Sequence, residues 1–180
     1  VFSRSIVAIA LIAAALASSA SAGDINTRLS LIGGGSLSLT YDPTAGSAGT
    51  LNGSDQTLTY ALPLEVVDSR SNGAGWNITI TSTPFDDGVK TLDPNDASIT
   101  STRVECVSGD GCTQPQNLIE YPVPMPASQP APTPIKVFDA DRDSGMGRFL
   151  VVPTVAVSIP GNAYAGDYVS TVAVALISGP

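Results

Sequence analysis

The sequence predicts an all-β chain, an antiparallel β-sandwich preceded by a cleavable signal-peptide helix. Three observations lead there. Trp76, Ile78 and Ile80 fall on every second position, with Asn77, Thr79 and Thr81 between them. In an extended strand that period places apolar groups on one face and polar groups on the other. Beyond the first residues, short alternating runs recur with Gly, Pro, Asn and Asp between them, and none shows a capped helical period. Many short strands separated by turn signals suit two packed antiparallel layers.

The N-terminus has the three regions of an export signal. Arg4 supplies the positive n-region, Ile6–Leu16 the apolar h-region, and Ala20-Ser21-Ala22 a small-x-small cleavage site. The apolar run is short for a membrane span, and no stop-transfer pattern follows it. Residues 1–22 therefore read as a signal peptide and residues 23–180 as a single domain. This predicts a secreted protein, free of the membrane once the signal is cleaved.

The strands follow in order. From Arg28 to Tyr41, Leu29 and Leu31, then Leu37, Leu39 and Tyr41, alternate around Gly33-Gly34-Gly35, which suggests two short strands joined at a bend. Asp42–Ser54 is a Gly-, Ser- and Thr-rich loop. Thr57–Val67 reads as one longer strand, with Leu58, Tyr60, Leu62, Leu64 and Val66 on one face. Pro63 within it implies an edge or a bulge. The Trp76 strand comes next and is expected at the centre of a sheet, with its indole N–H bonded to a partner. Pro84–Asn95 is a polar loop, and Ala97–Cys106 a strand. Gln114–Pro134 holds seven prolines and is expected to run extended between the two layers, outside any central strand. Ile135–Phe138, Arg148–Ile159 and Asp167–Ile177 complete the strands. The last strand is followed by neither a sorting motif nor a hydrophobic tail, so any surface attachment is expected to be noncovalent.

Charge and residue types narrow the function classes. The formal net charge is −8, and loss of Arg4 with the leader makes it −9. The remaining basic residues are scattered singly, which argues against nucleic acid and anionic lipid as partners. The absence of histidine rules out a Ser-His-Asp triad and a histidine-based metal centre. Carboxylate pairs such as Asp86/Asp87 or Glu105/Glu120 fit solvated loop positions better than a glycosidase centre, so no enzymatic activity is expected. Cys106 and Cys112, in an exported chain, read as one disulfide around a short loop, stabilising by about 2 kcal/mol in the chain-entropy model.

Three segments together resemble the WxL domain, a C-terminal module of bacterial surface proteins. They are Gly73-Ala74-Gly75-Trp76-Asn77-Ile78-Thr79-Ile80, Ser144-Gly145-Met146-Gly147, and the run from Ile159 through Pro160-Gly161-Asn162-Ala163-Tyr164-Ala165-Gly166 to Thr171. The resemblance covers most of residues 23–180 in order and spacing. It implies a secreted all-β domain at the cell surface that binds peptidoglycan or another cell-wall polymer noncovalently, with no cofactor and no catalysis. Two positions depart from the family pattern. Ile78 stands where the family has leucine, a volume-conserving change. At the second motif Val174, followed by Ala175 and Leu176, occupies the tryptophan position. If the family tryptophans contact wall polymer, that contact is lost here. If they are core residues, Val174 fills the slot differently, and its alternation with Val172 and Leu176 favours the core.

Candidate binding residues follow from these patterns. Trp76 reads either as a core plug or as a carbohydrate-stacking platform, with aliphatic face-mates siding with the core. Tyr164 and Tyr168, with Asn162, are the better surface contacts for a glycan or a protein partner. Asp139, Asp141 and Asp143 begin like a calcium loop, with oxygens at alternate positions. Ser144 and Leu150 stand where an EF-hand has glycine and glutamate, so a solvated turn is favoured. A second functional class remains open: a structural subunit that assembles with itself or with other surface proteins through sheet edges.

Overall fold

The computed structural model describes residues 28–180 except Ser108 and Asp110. The expected signal peptide lies outside the described residues. The chain divides into two units, Val1–Leu31 and Ile32–Pro180. Of the first unit, residues 28–31 are described; they form no strand, and Leu29 and Leu31 are 81% and 86% exposed. The first of the two strands expected around the glycines is therefore absent. Gly35 runs against the Ser69 backbone so closely that a Cβ there would overlap the Ser69 carbonyl. Close approach, rather than a bulge between two strands, accounts for that glycine.

The second unit is all-β. Its strands are β1 (Leu37–Tyr41), β2 (Gln56–Ala61), β3 (Leu64–Asp68), β4 (Trp76–Ser82), β5 (Ala97–Cys106), β6 (Val123–Pro124), β7 (Ile135–Ala140), β8 (Gly147–Ile159) and β9 (Val172–Ser178). There is no helix among the described residues. Six strands form one antiparallel sheet in the order β1-β3-β8-β5-β6, with β2 also on β8. The other three form a second antiparallel sheet, β7-β4-β9.

The strand expected over Thr57–Val67 is split at Leu62-Pro63, and its halves keep one register along β8. Gln56 pairs with Ile159 and Ala61 with Thr154, then Leu64 with Val151 and Asp68 with Gly147. Leu62 still donates its N–H to the Pro153 carbonyl at 2.9 Å. Pro63 has no N–H, so the outer row of bonds cannot run unbroken past it. β1 fills that outer row opposite β3, from Leu37 against Asp68 to Tyr41 against Leu64, and then departs.

β4 is the middle strand of its sheet, as its pattern predicts, and Trp76, Ile78 and Ile80 are all fully buried. They share one core with Val66, Phe149, Val151 and Val155 of the other sheet. Trp76 stacks on Phe138 at 5.4 Å between ring centroids and lies tilted against Phe149 at 6.3 Å. Its indole N–H donates to the Gly145 carbonyl at 2.8 Å. A buried indole without that acceptor would carry an unsatisfied donor costing about 1–3 kcal/mol.

The proline-rich segment leaves the first sheet and joins the second. Val123 and Pro124 pair with Ile99 and Ser98 at the sheet edge. Tyr121 donates its hydroxyl to Val137 O at 2.8 Å, and Asp139 donates its N–H to Asn117 Oδ1 at 3.0 Å, so this segment also borders β7. β9 begins at Val172, later than the sequence pattern suggests, because residues 167–171 lie against the Asp86 loop instead. Val169 and Asp86 exchange backbone bonds of 2.9 and 3.0 Å there.

Candidate functional site

Two of the three segments that carry the resemblance meet at the indole. Gly73–Ile80 supplies Trp76, and Ser144–Gly147 supplies the carbonyl that accepts its N–H. The third segment lies elsewhere, on the wall of a groove of about 960 Å³. Its floor is apolar, with Leu58, Leu62, Leu64 and Val157 from the larger sheet and Val172 and Val174 from β9. Val174 pairs with Ile80 and is only half-buried, as are Val172 and Leu176. The position expected to hold the second tryptophan thus faces the groove as well as the core.

Tyr164 lines the groove and is 63% exposed, with Lys90 Nζ 4.6 Å from its ring centroid. Such a cation over an exposed ring is worth about 0.5–1 kcal/mol and fixes the ring's orientation. Tyr168 is half-buried and donates its hydroxyl to Tyr164 O at 3.1 Å. Partial burial raises its phenol pKa, and the nearby Asp87 and Asp86 carboxylates add to the shift. The third proposed contact, Asn162, is exposed in the same loop and is not among the groove-lining residues.

Trp76 leaves the binding set. It has no exposed surface, and Phe138 and Phe149 pack against its ring. A sugar-stacking platform must present an open face. The calcium reading is corrected too. Asp139 is buried on β7, Asp141 Oδ1 accepts the Arg142 N–H at 2.7 Å, and Asp143 adopts φ 59° while donating its N–H to Gly73 O. The three carboxylates do not converge. Among the described residues no group of three or more His, Cys, Asp or Glu is arranged to hold a metal. Cys106 and Cys112 are disulfide-bonded, closing the loop after β5.

Comparison of the chain with family models, with curated proteins and with solved structures finds no match in any of the three.

Sequence reasoning missed Tyr60 and Phe85 as groove residues. Tyr60 was legible as an inward position of its strand, but Phe85 is a single aromatic in a polar loop. The two rings meet edge-on with centroids 6.5 Å apart. Burial pushes the Tyr60 phenol up to about 12. A raised folded pKa favours the neutral form, so this contribution to stability is fully present below the ordinary tyrosine value of about 10 and is lost as pH rises through about 12. A spectrophotometric titration of the native protein is expected to show a late phenolate step near pH 12 that Tyr60→Phe removes. A late step that survives the substitution would assign the shift to another tyrosine.

Proposed function

We propose that this chain is a secreted, non-catalytic surface domain, a WxL-like β-sandwich that binds cell-wall polymer noncovalently through the loop carrying Asn162, Tyr164 and Tyr168. The observation that carries the reading is the exposed Tyr164 ring, oriented by Lys90 at the mouth of the groove. Exposed aromatic faces suit the C–H faces of sugar rings, and the neighbouring Asn162 and Tyr168 offer hydrogen-bonding groups to hydroxyls. The pairing of Trp76 with Gly145 supports the same reading, because it gives two of the three family-like segments a shared structural role. The two sheets contributing to one core support the sandwich.

The test is co-sedimentation with purified cell walls. The native protein is expected in the pellet, and Tyr164→Ala is expected to bind about tenfold more weakly, near 1.4 kcal/mol. Unchanged pelleting by Tyr164→Ala together with Tyr168→Ala overturns the tyrosine assignment. Failure of the native protein to pellet overturns wall binding.

A second reading, a self-assembling surface subunit, is favoured by one feature. β9 is an edge strand, Val-Ala-Val-Ala-Leu-Ile-Ser, and carries no charged residue. Uncharged open edges invite strand pairing between copies. Light scattering without walls separates the two: a monomer that pellets with walls supports the first, and wall-independent polymers support the second.

A further inference from the structure

The outer edge of β2 is an unfilled strand position. Antiparallel pairs alternate between bonded and non-bonded residues. Because Leu62 bonds Pro153, and β2 keeps that register along β8, the N–H and C=O groups of Thr57, Thr59 and Ala61 point away from β8. Opposite β3 the equivalent row is occupied by β1; opposite β2 no described strand takes it. The segment Pro43–Gly49 passes there without pairing to β2 in any described backbone bond. It is a strap of small residues, exposed throughout. A Cβ at Gly49 would lie 2.6 Å from Leu58 Cδ2, so the strap crosses that side chain.

Beneath the strap lies the groove, and Leu58 and Tyr60 project into it between the edge-facing threonines. Asp42 and Asp167 are the charged residues among its lining, both acidic. From these features we infer that β2 accepts an extended peptide segment of a partner protein, alternating apolar and polar residues and carrying basic side chains, which displaces the strap and continues the row begun by β1. Its backbone completes the bonds of Thr57, Thr59 and Ala61, its apolar side chains enter the groove, and its basic groups meet Asp42 and Asp167. A second copy does not supply this chemistry from β1 or β9, which contain no lysine or arginine. In the edge strand β7, Lys136 is paired with Asp139 at 3.5 Å, while Asn117 and Tyr121 bond that strand's backbone.

The experiment uses the folded protein and a synthetic heptapeptide that alternates valine and threonine between lysine ends. Binding is read by fluorescence anisotropy and located by amide hydrogen exchange. The expected result is saturable binding with new protection at Thr57, Thr59 and Ala61, and at least tenfold weaker binding of the same peptide with glutamate ends. Thr59→Pro removes one outward N–H that β8 does not use and is expected to lower affinity at least tenfold, while Thr59→Ala binds normally. Several outcomes overturn the proposal: no binding, protection confined to residues 160–171, or equal affinity for both peptide charges. Concentration-dependent self-association that protects the same three amides without peptide also overturns it, by making the occupant a second copy. If Thr59→Pro does not fold, the exchange map of the native protein still decides the question.

Discussion

Gly145→Ala is expected to lower the unfolding free energy by about 3 kcal/mol, from backbone strain and overlap with two buried neighbours together. Gly145 adopts φ +68°, a region where a residue with a Cβ costs about 1–2 kcal/mol. The added methyl would also lie 2.7 Å from Trp76 Nε1 and 2.7 Å from Ala140 Cβ. Neither neighbour can yield easily, because both are fully buried. Overpacking of this kind costs about 1–3 kcal/mol and here also disturbs the bond from the indole to the Gly145 carbonyl. Urea unfolding measures the loss, and the emission of the chain's one tryptophan reports whether the ring has been displaced. A loss below about 1 kcal/mol with unchanged emission would show that this glycine does not hold the ring.

Arg70→Met is expected to cost about 3 kcal/mol at neutral pH and much less in acid. Arg70 donates through Nε to Asp68 Oδ1 at 2.9 Å, and through one terminal nitrogen to Asp68 Oδ2 and Gly75 O, each at 2.8 Å. Its other terminal nitrogen bonds Ser178 Oγ, so one guanidinium ties β3 to the start and end of the second sheet. Asp68 is 2% exposed. Burial pushes its carboxyl pKa up, but the Arg70 hydrogen bonds and charge outweigh that and hold it below the ordinary value of 3.8. With a depressed folded pKa, the stabilisation is complete above the unfolded value and is lost as pH falls through the folded one. Without Arg70 only burial and the backbone bond remain, so Asp68 protonates at higher pH and the deficit shrinks toward pH 3. Adding Asp68→Asn to Arg70→Met is expected to recover most of the loss at pH 7. A deficit that does not change with pH, measured by urea unfolding at pH 7 and pH 3, would exclude the stranded carboxylate as its cause.

Where the fold was legible, side-chain period carried the information. The Trp76 strand, Ala97–Cys106 and the long strand ending at Ile159 lie where alternation between turn residues places them. Pro63 signalled an irregularity within Thr57–Val67, read as an edge position or a bulge, and the structure places a break between β2 and β3 there. Leu29 and Leu31 show where period stops being enough, since alternation describes a strand only where a neighbour bonds to it. Residues 167–171 show the same limit: their apolar groups fit a strand, but their backbone partners belong to a loop more than eighty residues earlier. The candidate site was half legible. Tyr164 and Tyr168 stood out as aromatics in a turn, whereas the groove beside them depends on Leu58, Val157 and Val174 arriving from three distant strands. No local pattern encodes that meeting. The alternating aspartates Asp139, Asp141 and Asp143 show a related limit, because spacing along a chain does not fix where carboxylates point once a strand ends.

The position of β8 in the chain governs the order in which the molecule can take shape. β2, β3 and β5 all take their main partner from Gly147–Ile159. β4 meets β7 first, at Ile135–Ala140, and β9 only near the end of the chain. During synthesis, then, the strand pairings available before residue 147 emerges are β1 with β3, the two-residue contact of β6 with β5, and β4 with β7. A nascent chain remains without its hub for most of its length, so the larger sheet cannot assemble until roughly the final fifth of the chain appears.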